Sequence, residues 1–155
     1  MSIEDFMKYR AKESNVQRLI RLLEDNLRKS VKEVPSTEEE LEDIINDLCL
    51  QVDPLLVRER LREIFFGVYK IDFSLFNHSV ALEVKLIREE RELERAVAEV
   101  VSHIPPFCSI YNHIVFLFYD ACDAIKDVNK FVKEIEGKAE NITVMTVKHQ
   151  GYLEA

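Results

Sequence analysis

At 155 residues, with 47% hydrophobic and 32% charged side chains, the chain has the size and composition of one folded domain with its own core and not those of a disordered segment. A net charge of −8 argues against binding to a polyanion through the overall field. The acid is concentrated between residues 36 and 66, however, while residues 1–35 carry more base than acid.

In chain order, Val16, Leu19, Ile20, Leu23 and Leu27 recur at helical spacing, so residues 15–30 are expected to form an amphipathic helix, with Ser14 or Asn15 as its cap. Pro35-Ser36 breaks the pattern. Ser36 or Thr37 then caps a second helix that begins Glu38-Glu39-Glu40 and buries Leu41, Ile44, Ile45 and Leu48. Those glutamates suit the positive end of the helix dipole, and Glu38 lies on the side of Leu41 and Ile45. Pro54 ends this helix. Residues 57–66 (VRERLREIFF) fit either a short helix or an edge strand that carries Arg58, Arg60 and Arg62 on one face.

The stretch from Val68 to Ile87, VYKIDFSLFNHSVALEVKLI, alternates on both sides of Asn77-His78 and reads as a β-hairpin with those two residues at its turn. That register sets Asp72 opposite Glu83 and Lys70 opposite Lys85. One face then carries Lys70, Asp72, Ser74, Ala81, Glu83 and Lys85, and the other Ile71, Phe73, Leu75, Val80, Leu82, Val84 and Leu86. The second is a core face. The first gathers two carboxylates and an ammonium group, either as the solvated side of the hairpin or as a site where a divalent cation bridges acids that would otherwise repel.

Beyond the hairpin, residues 88–103 are expected to be helical, with Leu93, Val97, Val100 and Val101 inward and Arg91 and Arg95 one turn apart, to be spent on intrahelical ion pairs or on phosphate contacts. Pro105-Pro106 should stop that helix. HIVFLFY, residues 113–119, reads as a central strand covered on both sides; Asp120 after it suits a cap or turn. A helix over 123–136 closed by Gly137 and a strand over 142–147 complete the chain. The three glycines stand apart, which argues against a phosphate-cradling loop and a nucleotide cofactor. The three cysteines lack metal-ligand spacing, no run reaches membrane-span length, and the first residues lack a signal-peptide pattern. A cytoplasmic protein with no membrane partner is the expectation.

Asp72, followed by Glu83-Val84-Lys85 on the next strand, Arg88, a charged helix and an apolar strand, resembles the PD-(D/E)XK nuclease superfamily over about residues 36–148. Ile71 stands where the motif's name has proline. The resemblance implies an α/β domain over 36–155 with a mixed sheet, an antiparallel hairpin core and flanking helices (restriction-endonuclease-like), preceded by a helical extension over 1–35. It implies a magnesium- or manganese-dependent hydrolase that cuts DNA. Asp72, Glu83 and the Val84 carbonyl would hold the cation, and Lys85 would act on the water or the developing charge. Glu38 would be an accessory acid, and Arg88, Arg91 and Arg95 would be candidates for DNA contacts; Lys70, which the hairpin register sets opposite Lys85, would disfavour the charged form of that lysine. The two-strand symmetry of duplex DNA suggests a homodimer. Two alternatives stay open: a non-cutting DNA-binding or assembly module of the same fold, for which the acidic charge speaks, and a scaffold that pairs through residues 15–30, with the hairpin charges incidental.

Overall fold

The computed structural model describes residues 2–52, 62–64, 67–75 and 79–151. Two helices lead: α1 (Ile3–Ser30) and α2 (Glu38–Val52). The expected helix over 15–30 thus extends back to Ile3. Thr37 is the cap of α2, its hydroxyl accepting from the Glu40 amide at 3.2 Å, while the Glu40 carboxylate accepts from the Ser36 amide at 2.7 Å. This is close to a capping box, the reciprocal arrangement that satisfies amides left free at a helix start.

Strands β1 (Arg62–Ile64) and β2 (Gly67–Tyr69) pair with each other in a two-stranded ribbon. The main sheet has four strands in the order β3 (Phe73–Leu75), β4 (Val80–Ile87), β5 (His113–Asp120) and β6 (Ile142–Lys148); β3 is antiparallel to β4 and the rest run parallel. Helix α3 (Glu92–Cys108) links β4 to β5, and α4 (Val128–Glu136) links β5 to β6. The molecule is therefore an α/β protein with a mixed sheet flanked by helices, as expected from the alternation of strand and helix patterns.

The hairpin register is the one the sequence implies: Phe73 pairs with Leu82, Ser74 with Ala81 and Leu75 with Val80. Its first arm is interrupted, however. Residues 70–72 lie between β2 and β3, so no ladder places Lys70 across from Lys85. The break also moves Ile71. Phe73, Leu75, Val80, Leu82, Val84 and Leu86 join the core beneath α1 and α2, whereas Ile71 joins Ala81 and Ile87 in the core beneath α3 and α4. A residue outside the pleat is no longer bound to the alternation of faces. The turn Asn77-His78, Pro54, Arg58 and Arg60 lie outside the described residues.

Each face of the sheet has its own core. Val16, Leu19, Leu23 and Leu27 of α1 and Leu41 and Ile45 of α2 pack on one side, and Ala96, Val100, Ile104 and Phe107 of α3 with Ile135 of α4 on the other. All eight residues of β4 are buried, and β5 is central with both faces covered, as its continuous apolar run implies. Two helix boundaries depart from expectation. Helix α3 begins at Glu92 and runs through Pro105 and Pro106 to Cys108: a proline φ suits helix, and burial of Pro106 and Phe107 carries the last turn past the two missing amide donors. Helix α4 begins at Val128 with Asp127 as its cap, not at 123, because residues 120–125 are drawn into a polar network around Asp120.

Candidate active site on the open edge of β4

Strand β3 covers only the first part of β4. Past Leu82 the outer edge of β4 has no strand partner among the described residues, and its amides need other acceptors. Two carboxylates take them. The Val84 amide donates to Asp72 Oδ2 at 2.7 Å, and two residues on, the Leu86 amide donates to Glu38 Oε2 at 3.0 Å. Because the amide and carbonyl of one strand residue point to the same edge, the Val84 carbonyl leaves β4 on this side too. The break in the hairpin thus brings Asp72 and Glu38 against one strip of backbone.

Glu83 and Lys85 leave β4 on the face covered by α3. Glu83 Oε1 lies 2.5 Å from His103 Nδ1, and Lys85 Nζ donates to Glu99 Oε2 at 2.5 Å while staying 3.9 Å from Glu83 Oε1. Glu99 in turn accepts from Arg95 Nε at 3.2 Å through its other oxygen. His103 stacks on Phe107 at 5.1 Å and meets the edge of Tyr69 at 5.7 Å, which fixes its ring over Glu83. Lys85, Glu38 and Glu99 line a cleft of about 230 Å³ whose rim carries Arg88 and Arg95.

The electrostatics are those of crowded acids around one cation. Burial, then the nearby charge of Glu42, and further the charge of Glu83, push the Asp72 carboxyl up to about 7 against the pull of the Val84 amide and Lys70. Burial also raises Glu38, although Lys85 and the Leu86 amide oppose it. For Lys85, burial alone would lower the pKa, but the charge of Glu83, the bond to Glu99 and the charge of Glu38 outweigh it, and the ammonium is held above its ordinary value. The expectation that Lys70 primes Lys85 to lose its proton is therefore overturned: Lys70 is exposed, its field acts on Asp72, and Lys85 is a firm cation ringed by carboxylates.

A divalent cation suits this donor set in part. Glu83 Oε2 is buried with no hydrogen-bond partner among the described residues, and Asp72 is crowded by two other acids, both of which a cation would relieve. No group of three or more His, Cys, Asp and Glu side chains among the described residues stands ready as a complete cage. Magnesium commonly binds through one or two carboxylates and keeps several waters, so an incomplete cage is compatible with it.

Of the other candidates, Arg88 donates to the Ser36 carbonyl at 3.2 Å, Arg91 pairs with Glu89 at 2.6 Å, and Arg95 pairs with Glu99. Arg91 thus has the local ion pair that is the common fate of such residues, while Arg88 and Arg95 border the cleft. Sequence reasoning missed Glu42, Glu99 and His103. Glu42 lies one turn after Glu38 on the buried side of α2, and Glu99 and His103 lie one turn apart beside the buried stripe of Ala96, Val100, Ile104 and Phe107. An i, i+4 pair of polar residues flanking an apolar stripe was the available signal.

The second buried polar cluster is a closed structural one. Asp120 accepts from the amides of Ala124 and Ile125, each at 2.9 Å, and from Lys148 Nζ at 2.6 Å; Lys148 also donates to Asp123 and to the Ile125 carbonyl. Asp120 thus ties the β5–α4 connection to the end of β6, the turning role expected of it. Among the described residues no helix is long and apolar enough to cross a membrane. No family model matches the chain, and neither does any curated protein or solved structure.

Proposed function

We propose that the chain is a divalent-metal-dependent nuclease of the PD-(D/E)XK type, with a restriction-endonuclease-like fold, acting on phosphodiester bonds of DNA. The observation that carries the reading is the convergence of Asp72, Glu83 and Lys85 where β3 stops covering β4, with one buried Glu83 oxygen that has no hydrogen-bond partner among the described residues. Asp72, Glu83 and the Val84 carbonyl would hold magnesium or manganese, which when bound would polarise a phosphoryl oxygen and acidify a water.

The chain's own residues do the rest. Lys85, fixed beneath the cleft and paired with Glu99, is placed to stabilise negative charge that builds on the phosphate. His103 holds Glu83 in one rotamer through the 2.5 Å contact. Glu38 anchors α2 to the Leu86 amide, so that the accessory acid is a wall of the site and braces its geometry. Arg88 and Arg95 on the rim are the basic groups best placed to meet a phosphate backbone.

The test is incubation with linear, nicked, branched and single-stranded DNA in magnesium or manganese, with Asp72→Ala and Lys85→Ala in parallel. Cleavage that falls by about 100-fold or more in both variants is expected. Cleavage by both at the wild-type rate would assign the activity to a contaminant and end the reading. A non-cutting DNA-binding module of the same fold is the second reading, favoured by the hold of Glu99 on Lys85; wild-type protein that binds DNA and never cuts it would establish that one.

A further inference from the structure

Glu99 bridges two cations across the mouth of the cleft, one carboxylate oxygen on Lys85 Nζ at 2.5 Å and the other on Arg95 Nε at 3.2 Å. The three partners differ in mobility. The Lys85 side chain is 10% exposed and fixed at the floor, whereas Glu99 is 42% and Arg95 86% exposed. An ammonium and a guanidinium that share the two oxygens of one anion form the donor set that elsewhere receives a phosphate, whose oxygens are similarly spaced. The cleft of about 230 Å³ beside them, with Arg88 on its rim, has room for such a group and its water.

We propose that Lys85 and Arg95 form a phosphate subsite that Glu99 occupies at rest, and that a backbone phosphate of a nucleic-acid strand binds by displacing the Glu99 carboxylate. This deepens the nuclease reading and rests on it for the identity of the strand. Glu83 at 3.9 Å gives the Lys85 ammonium an inner counterion, but the side it turns to Arg95 and the cleft still favours an outer anion when the subsite is empty. Glu99 supplies it from the solvent side of α3, where it can swing out into water. A phosphate that replaces it brings equivalent charge, so Lys85 remains paired throughout. Binding by the resting protein is weakened by the cost of moving Glu99 aside, and weak anions are excluded from the site.

Removal of the Glu99 charge should therefore strengthen binding of a polyanion, and more than removal of a neighbouring charge on the same helix. Glu83 remains 3.9 Å from Lys85 in a Glu99→Gln protein, so the ammonium keeps a counterion. The control is Glu94→Gln, an exposed residue of α3 that carries the same formal charge. Binding of a fluorescent DNA duplex is measured by anisotropy at low salt with EDTA present, after thermal melts have verified that each variant is folded. Glu99→Gln is expected to bind about fivefold more tightly than Glu94→Gln, and the gain is expected to vanish in Glu99→Gln/Lys85→Met. Equal affinities for the two single variants, no binding by Glu99→Gln, or a gain that survives loss of Lys85 would overturn the proposal. Inorganic phosphate, titrated in thermal-shift assays, separates the sources: stabilisation of Glu99→Gln by phosphate with no gain for DNA would assign a free-anion site and remove the strand. Because the binding arm contains no metal ion, absence of cleavage by the wild type would count against the nuclease and not against the subsite.

Discussion

Asp72 is the residue whose chemistry is most altered by the fold. Its carboxyl is raised from 3.8 to about 7 by burial and by its neighbours Glu42 and Glu83, so the folded state keeps a proton that the unfolded chain has already lost. Stability linked to this group is fully present below about 3.8 and is lost as pH rises through 7. Urea midpoints at pH 5 and pH 8 should therefore fall with pH in the wild type, and the fall should be smaller in Asp72→Asn, whose amide oxygen can still accept from Val84. At pH 8 the variant is expected to be the more stable protein by roughly 1–3 kcal/mol. The same decline in both proteins would show that Asp72 does not titrate in this window. Asp120 has the opposite sign. Burial would raise its carboxyl, but the Lys148 bond and the amides of Ile125 and Ala124 outweigh burial and hold it low, so its contribution is present at neutral pH and is lost in acid.

At the scale of elements, the site exists because β3 is short. A hairpin paired along its whole length would have satisfied the Val84 and Leu86 amides with backbone and left no position for the carboxylates of Asp72 and Glu38. Helix α3 then supplies both partners from one stripe, Glu99 for Lys85 and His103 for Glu83. The other elements that need polar repair are the ends of β5 and β6. There Lys148→Met would leave the wholly buried Asp120 charge with backbone amides alone, and a loss of about 3–5 kcal/mol is expected. Denaturant unfolding measures it directly. A loss below about 1 kcal/mol would mean that the Asp120 network does not hold the β5–α4 connection in place.

For the whole molecule, the crowding of acids around β4 predicts a linkage between cation binding and stability. Magnesium or manganese that binds the folded state through Asp72 and Glu83 should raise the melting temperature in proportion to the logarithm of its concentration above Kd. The rise should be larger at pH 8 than at pH 5.5, because below 7 the cation must first displace the Asp72 proton. Differential scanning fluorimetry of the wild type and Glu83→Gln tests this, with the rise lost in the variant. A shift of equal size in Glu83→Gln would place the cation elsewhere.

Much of this architecture was legible in the residues. The alternation about Asn77-His78 fixed a register that matches the observed pairs, since a slip of one residue would have sent Phe73 and Leu82 to the wrong face. The apolar run from His113 announced a strand covered on both sides, and the spacing of Asp72, Glu83 and Lys85 brought three chemically suited groups into one neighbourhood. What the residues could not disclose is how far each strand stays paired and which helix face lands on which strand. Local periodicity reports the burial of an element and not the identity of its neighbour. Only the packed structure could end β3 at the point that frees the β4 edge, lay Glu42 against Asp72, and set Glu99 and His103 over Lys85 and Glu83. The charge state of Lys85 followed from that packing, because an ammonium takes its pKa from the charges that the fold brings around it.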